Sequence, residues 1–258
     1  QNGSDLGIGI GANGVESGHW SLVSGSAKAR APLYAGRRGL RTMAGSWNVP
    51  VELCMSGRFA LFRWSAQLAG LPGFPGDLAP HWNLAPGAQV LLLREEQGQR
   101  RVDLARWGLT PAWLTDLSKT PAHARSESLA SQPMFREAFR CRRGLLPANG
   151  FFEWRGVRRR PYWLGSEQGL LFMAALWEAY PVGERISLRV AMVTREQAGQ
   201  RRPLLLDEAG CVAWLDGQST PDTLQSLLQA RGPVLRERAL SNLVNNPALD
   251  APECLTSA

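Results

Sequence analysis

The chain contains a segment that reads like the start of a protein, although it lies well inside the sequence. Residues 55–60 read Met-Ser-Gly-Arg-Phe-Ala. A small residue after an initiator methionine permits removal of that methionine, which would leave Ser56 with a free α-amine two residues before Arg58. An α-amine has a pKa of about 7.7 to 8.0, so a useful fraction is neutral near neutral pH. Such an amine can attack an aldehyde to give a Schiff base.

Five short segments follow one another between residues 55 and 154. They read Met-Ser-Gly-Arg-Phe at 55–59, Trp-Asn-Leu-Ala-Pro-Gly at 82–87, Arg-Trp-Gly-Leu-Thr-Pro-Ala-Trp at 106–113, His-Ala-Arg-Ser-Glu at 123–127 and Pro-Ala-Asn-Gly-Phe-Phe-Glu-Trp at 147–154. In order and spacing they resemble the SRAP family, the SOS-response-associated peptidases. The resemblance implies an α+β fold over residues 55–258, a single SRAP-type domain with a mixed, barrel-like β core and flanking helices.

The resemblance also implies a chemistry for the N-terminal amine. In this family the amine captures the aldehyde of an abasic site in single-stranded DNA, and the thiol of the adjacent cysteine closes the adduct to a stable thiazolidine. Here the thiol is replaced by the hydroxyl of Ser56, and an unactivated hydroxyl is a poor nucleophile. We therefore expect a reversible imine, with cleavage by β-elimination as a possible lyase step. The alternative is that Ser56 is an inert terminal residue.

Two further residues are catalytic candidates by this resemblance. Glu153 is the implied acid for proton transfer at the sugar, and its aromatic neighbours in sequence predict an apolar setting, which disfavours a charged carboxyl. An exposed position on a strand is the alternative. His123 stands where the family has asparagine, and the family's own histidine corresponds to Gly199. His123 is either a relocated acid or base or the product of drift in a degenerate site.

The resemblance assigns DNA binding to a second group of residues. Arg58 and Arg125 would hold phosphates that flank the lesion, since an arginine fork suits bidentate phosphate binding. Trp113 could stack on an unpaired base, whereas Trp107 is expected in the core. Asn83 and Asn149 are expected to fix the loops around the pocket.

Composition limits the alternatives. The chain has 258 residues, 44% hydrophobic and 20% charged, with a formal net charge of +7. This basic balance favours a polyanion such as DNA, or is simply the general basicity of the protein. No apolar run is long enough to span a membrane, and no Gly-x-Ser-x-Gly elbow indicates a serine hydrolase. Four cysteines and three histidines show no metal-ligand spacing. We expect a cytoplasmic, nucleoid-associated monomer without metal or cofactor.

Residues 1–54 differ from the rest of the chain. They are rich in glycine, serine and arginine and show no sustained helical or strand period. We expect them to form a disordered leader, which is an upstream-extended reading frame, a remnant of cloning or a transit peptide. A leader that remained attached would convert the Ser56 amine to an unreactive amide.

The remaining pattern predicts the elements that must position these residues. Helices are expected at 65–71, 133–141, 207–215 and 220–229, the first with Ser65 as N-cap. Strands are expected at 90–94 and 101–107 around a turn at 95–99, and then at 144–146, 151–155, 162–164, 170–176 and 188–194. Strands and helices do not alternate regularly, which favours α+β over a doubly wound sheet.

Two functions of different classes remain open. The chain is either an enzyme that processes its own N-terminus and attacks abasic sites through the Ser56 amine, or a non-catalytic SRAP paralogue that binds and shields single-stranded DNA.

Overall fold

The computed structural model describes residues 57–166, 169–197 and 199–258. The predicted leader and Ser56 lie outside these ranges. Within them the chain is mainly β. The strands are β1 Arg58–Leu61, β2 His81–Leu84, β3 Gln89–Glu96, β4 Gln99–Trp107, β5 His123–Arg125, β6 Arg143–Ala148, β7 Gly150–Arg155, β8 Arg160–Gly165, β9 Leu171–Val182, β10 Arg185–Gln197, β11 Gln200–Pro203, β12 Leu205–Leu206 and β13 Arg236–Ala239. The α-helices are α1 Ala66–Ala69, α2 Arg136–Cys141, α3 Glu208–Leu215 and α4 Pro221–Gln229, and short 3-10 helices cover Ser126–Ser128, Asn242–Asn245 and Pro252–Leu255.

The larger sheet closes into a barrel. Its strand order is β11-β10-β4-β3-β6-β9-β12, and an additional pairing of β9 with β10 joins the two ends of the inner five strands. The pairing of β10 with β4 is parallel, whereas β3 pairs with β4 and β9 pairs with β10 in antiparallel fashion. The expected mixed, barrel-like β core is therefore confirmed, and the fold class is α+β.

The smaller sheet is antiparallel, with the order β13-β8-β7-β1-β2. Because successive side chains of a strand point to opposite faces, its two faces enter different clusters. Phe151 belongs to the large cluster that fills the barrel, while Phe152 packs in a smaller cluster with Val244 and Cys254. We call these the barrel face and the outer face of the five-stranded sheet.

Capping residues define most helix starts as predicted. The side chains of Ser65, Asp207 and Thr220 each accept a backbone N–H in the first turn of α1, α3 and α4. The predicted start of α2 at Pro133 is wrong, since this helix begins at Arg136. The carbonyl of Gln132 accepts hydrogen bonds from the backbone N–H of Phe135 and Arg136, which forms a separate turn before the helix.

The turn between β3 and β4 also agrees with its prediction. Gln97 and Gly98 both have positive φ, at 53° and 75°, as a two-residue hairpin turn of this type requires. Among the described residues no helix has the length and apolar character needed to cross a bilayer.

Candidate functional site

Glu153 lies on the barrel face of β7, where a second strand system covers it. Its side chain is only 2% exposed. Both carboxylate oxygens accept hydrogen bonds: Oε2 from Arg155 at 2.6 and 2.9 Å, and Oε1 from Nε of Arg202 at 2.5 Å. Arg202 belongs to β11 of the larger sheet, so this carboxylate joins the two sheets of the fold.

The same two arginines also bind a second carboxylate. Glu237 of β13 accepts from Arg155 at 2.7 Å and from Arg202 at 3.3 Å. Glu153, Arg155, Arg202 and Glu237 therefore form a closed ring of two anions and two cations, which we call the carboxylate ring. Hydrogen bonds from the two arginines, Arg155 first, lower the pKa of Glu237 below its usual value and keep it ionised.

The expected apolar surroundings of Glu153 are only partly present. Its sequence neighbours Phe152 and Trp154 point to the outer face, because side chains alternate along β7. On the barrel face the carboxylate meets two guanidinium groups. The sequence did not indicate Arg155, Arg202 or Glu237 as partners of Glu153. The spacing Glu-x-Arg at 153–155 was an available signal, since residues two apart in a strand share a face.

Arg58 lies on the other side of the same sheet. It pairs with Phe152 in the β1–β7 register, and its guanidinium sits 5.1 Å from the ring centroid of Trp154. Its Nη1 donates to the carbonyl of Val244 at 2.6 Å and to Oδ1 of Asn83 at 3.4 Å. Burial lowers the pKa of Arg58 from its usual value. The structure therefore separates Arg58 from Glu153 by the thickness of a sheet.

The two asparagines fix backbone segments. Asn83 donates from Nδ2 to the carbonyls of Leu249 and Asn246, which secures the C-terminal segment against β2. Oδ1 of Asn149 accepts the backbone N–H of Phe62 and Arg63, and its Nδ2 donates to the carbonyl of Arg63. The expected loop-fixing role of both amides is present in these contacts, and direct DNA contact by either one stays a prediction.

His123 and Arg125 occupy β5, which pairs in parallel with β10. In this register His123 faces Met192 and Arg125 faces Thr194. Arg202 instead pairs with Arg195, so by the alternation of strand faces the β5 side chains lie on the opposite face of β10 from the carboxylate ring. The ring centroids of His123 and Trp107 lie 5.5 Å apart in an edge-to-face arrangement. The structure does not bring His123 beside Glu153.

The two tryptophans of the 106–113 segment separate as predicted. Trp107 is buried at 1% exposure in the barrel core, and its Nε1 donates to the carbonyl of Ala122. Trp113 is 61% exposed and remains available for stacking. Gly199, where the family has histidine, adopts a φ of +73° next to open space, a backbone conformation that favours glycine.

A cavity of about 240 Å³ borders the carboxylate ring. Its wall includes Arg202 and Glu237 from the ring, Arg195 from β10 and the segment that joins α4 to β13.

In the described part of the chain no group of three or more potential metal ligands comes together. The thiols of Cys141, Cys211 and Cys254 are free, and burial raises the pKa of Cys211 to about 12.

Comparison with known proteins decides the family. The family described as SOS response associated peptidase (SRAP) matches residues 55–247. The chain belongs to the SRAP family. This match begins at Met55.

Several named relatives are similar over most of this SRAP chain. The abasic site processing protein YoqW of Bacillus subtilis is 30% identical over 225 residues, which is 79% of this chain and all of the relative. The abasic site processing protein YedK of Escherichia coli is 30% identical over 55% of this chain and 68% of its own length. HMCES of Gallus gallus, another abasic site processing protein, is 25% identical over 70% of this chain and 67% of its own.

Solved structures agree on the fold. A protein from Bacteroides thetaiotaomicron superposes with a TM-score of 0.67 at 18% identity and covers 78% of this chain and 99% of its own. A phage-related protein from Bordetella bronchiseptica gives a TM-score of 0.57 at 20% identity, over 71% and 93% of the two chains. At these identities the likeness concerns the fold.

Proposed function

We propose that this SRAP protein processes abasic sites in single-stranded DNA through the α-amine of Ser56, after removal of the residues that precede it. The observation that carries the proposal is the buried carboxylate of Glu153 next to the start of the domain. Arg58 pairs with Phe152, so continuing the antiparallel register by one residue places Gly57 opposite Glu153. The relatives named abasic site processing proteins support the same substrate.

Glu153 is the proposed proton-transfer group. Condensation of an amine with an aldehyde passes through a carbinolamine, and loss of water from it requires a proton at the departing hydroxyl. A positioned acid or base typically accelerates such a step about 10² to 10⁴-fold. Because both oxygens of Glu153 accept from arginines, the carboxylate must first exchange one of these hydrogen bonds for the substrate.

Ser56 determines how long the product lasts. The imine nitrogen is bonded to the Cα of Ser56, so only its own side chain is placed to close a five-membered ring on the imine carbon. A hydroxyl closes this ring less favourably than a thiolate does. The product is therefore a hydrolysable imine, and its formation is compatible with strand cleavage by β-elimination. We also propose that the SRAP peptidase step is self-processing at the residue that exposes Ser56.

The DNA-contact residues are proposed to act around this centre. Arg125 and Arg58 hold phosphates, and Trp113 offers an exposed ring for base stacking. His123 lies on the opposite face of β10 from the carboxylate ring. Its proposed role is therefore to guide the path of the DNA strand and not to transfer a proton beside Glu153.

Borohydride trapping tests the proposal. A form that begins at Met55 and the full chain are each incubated with single-stranded DNA that carries one abasic site, with and without borohydride. The shorter form should give a covalent species only in the reduced sample, and the full chain should give one only after self-processing. Intact DNA of the same sequence is the substrate control. No trapped species from the shorter form would contradict the imine.

A second variant separates the side chain from the rest of the site. Ser56→Cys should give a heat-stable species without reductant, because the thiol can close the ring. The matched control is Ser241→Cys, which adds a thiol that is not bonded to the Cα carrying the amine and so cannot close the same five-membered ring. A heat-labile product from Ser56→Cys would show that the site does not support ring closure.

The alternative function is a non-catalytic module that binds and shields single-stranded DNA. The complete pairing of Glu153 with Arg155 and Arg202 favours this reading, because neither oxygen is open to a substrate. Tight binding of abasic-site DNA without any trapped species, in both Ser56 and Ser56→Cys forms, would establish it.

A further inference from the structure

The cavity beside the carboxylate ring contains a cation that the ring does not neutralise. The ring holds two carboxylates and two guanidiniums, so its formal charge is zero. Arg195 adds a third guanidinium to the same cavity. The cluster of five charged groups therefore carries a net charge of +1.

The fold forces this third cation close to the ring. Arg195 and Arg202 are directly paired in the β10–β11 register. Directly opposite residues of an antiparallel pair share a face, and their Cβ atoms lie about 4.5–5.5 Å apart, so like charges at such positions destabilise each other. Arg202 is compensated by Glu153 and Glu237. The ion pairs found among the described residues give Arg195 no such carboxylate.

The contacts of Arg195 compensate only part of its guanidinium group. Nη1 donates to the carbonyl of Ala230 at the end of α4, whereas Nε is buried without a hydrogen-bond partner. A buried N–H donor that makes no hydrogen bond loses its hydration without compensation. Burial also lowers the pKa of Arg195 from its usual value, which expresses the same unfavourable desolvation. An anion in the cavity would offset the desolvation of the guanidinium charge.

We propose that this cavity is a binding subsite for one phosphate group of the DNA strand, held by Arg195 together with Arg202. A guanidinium presents parallel N–H donors that match two oxygens of a phosphate. Gln197 follows Arg195 by two residues on β10 and also lines the cavity, so its side-chain amide can donate to the same group. The identity of the strand rests on the proposed function; the phosphate chemistry rests on the cavity alone.

The subsite also connects DNA binding to Glu153. Arg202 has Glu153 on one side and the cavity on the other. A phosphate that draws Arg202 toward the cavity competes with Glu153 for its N–H groups and frees Oε1, which accepts from Nε of Arg202. Oε1 then becomes the oxygen that can accept or deliver a proton at the substrate. Arg202 thus acts as a positioning residue that couples occupation of the subsite to exposure of the carboxylate.

Direct phosphate binding provides the first test. Inorganic phosphate is titrated into the full chain while the Nε–Hε resonances of the arginines are followed by NMR, with the signal of Arg195 assigned from its loss in Arg195→Lys. The Arg195 resonance should shift in a saturable manner, whereas that of Arg185, at the far end of β10, should not. An Arg195 resonance that stays unmoved up to high phosphate would overturn the subsite.

Introduced charge tests the cavity without removing an arginine. Val234 lines the cavity and is 92% exposed, so Val234→Asp should fold normally and weaken phosphate binding at least fivefold. Val157, fully exposed in the β7–β8 turn, provides the matched control Val157→Asp, which should leave it unchanged. Equal weakening by both would indicate a general charge effect and contradict the proposal.

Measurements of DNA binding distinguish a phosphate of the DNA strand from free inorganic phosphate as the ligand of this cavity. For single-stranded DNA, the slope of log K against the logarithm of the salt concentration decreases in magnitude by about 0.7 for each phosphate contact that is removed. Arg195→Met should reduce the slope by this amount relative to the control Arg185→Met, and circular dichroism checks that the segment after α4 remains folded. An unchanged slope with an intact phosphate response would exclude the strand as the ligand. Because intact DNA is used, this result is independent of imine trapping, which tests the proposed function.

Discussion

The two faces of the five-stranded sheet stabilise charged side chains in different ways. On the barrel face Glu153 and Glu237 are matched by Arg155 and Arg202 in a closed ring. On the outer face Arg58 is held by a carbonyl, an amide oxygen and the face of an indole ring. A charge paired in a ring is fixed in place, whereas a cation held by neutral acceptors keeps its full charge available. The comparison therefore separates the face proposed for proton transfer from the face proposed to bind phosphate.

The faces also differ in what they join. The carboxylate ring ties β7 and β13 of the smaller sheet to β11 of the larger one. Arg58 and Asn83 tie β1 and β2 to the C-terminal segment that contains Val244 and Leu249. Loss of a ring member should disturb the relation between the sheets, while loss of an outer-face member should loosen only the C-terminal segment.

The largest expected effect is on catalysis. Glu153→Gln keeps the size of the side chain and removes its charge, and we expect imine formation to slow about 100-fold, since proton transfer is lost. Initial rates of borohydride trapping measure this. The control Glu184→Gln, in the β9–β10 turn, should retain the original rate. A Glu153→Gln rate within threefold of the original would show that the barrel face does not supply the proton.

The next effect concerns stability. Arg202→Met leaves Glu153 with a single guanidinium partner in a buried site, and breaking a buried ion pair on one side costs up to about 3–5 kcal/mol. Arg155 still binds Glu153, so we expect a loss of about 2–3 kcal/mol in the free energy of unfolding, measured with urea. In a double-mutant cycle with Glu153→Gln the two losses should be strongly non-additive. Additive losses would mean that the ring is not energetically coupled.

A smaller effect is expected on the outer face. Arg58→Met keeps the stacking volume over Trp154 and removes the hydrogen bond to the Val244 carbonyl, which should cost about 1–2 kcal/mol. Hydrogen exchange of residues 242–255 should accelerate, while that of β11 should not. Protection lost equally in both regions would remove the distinction between the two faces.

The smallest effect is the pH dependence contributed by Glu237. Its folded-state pKa is lowered, chiefly by the hydrogen bond from Arg155, so its stabilising contribution is complete above the unfolded value near 4.5 and is lost as the pH falls through the lowered folded value. Since its side chain is 39% exposed, solvent screening limits this contribution to less than about 1 kcal/mol. Unfolding of Glu237→Gln should show a flatter pH dependence below about pH 4.5 than the parent protein does. An identical slope would indicate that Glu237 is not ion-paired.

The longer helices and strands could be predicted from the sequence, and the short strands that pair with distant parts of the chain could not. The β3–β4 hairpin, strands β6 to β10 and the caps of α1, α3 and α4 follow from local patterns, because period, turn residues and capping residues lie within a few positions of each other. Strands β1, β2, β5, β11, β12 and β13 were not predicted. Each has four residues or fewer, and each is stabilised by pairing with a distant strand instead of by its own pattern.

The candidate site divides in the same way. Glu153, Trp107 and the loop-fixing amides could be located from motifs, since the motif itself specifies the strand or loop. Ion partners such as Glu237 could not, because this residue is 84 positions from Glu153 and only sheet pairing brings them together. His123 and Glu153 both occur in motifs that carry the family resemblance. The alternation of side chains along β10 nevertheless places His123 on the opposite face of this strand from the carboxylate ring that contains Glu153.

The turn at Gly199 bears on how this lineage could change. Its left-handed backbone, at a φ of +73°, costs a residue with a side chain about 1 kcal/mol. A histidine introduced there would thus meet a conformational penalty before it contributed to the site, unless the turn were rebuilt at the same time. Acquiring a histidine at position 199 consequently requires two coupled changes, one in the side chain and one in the backbone of the turn.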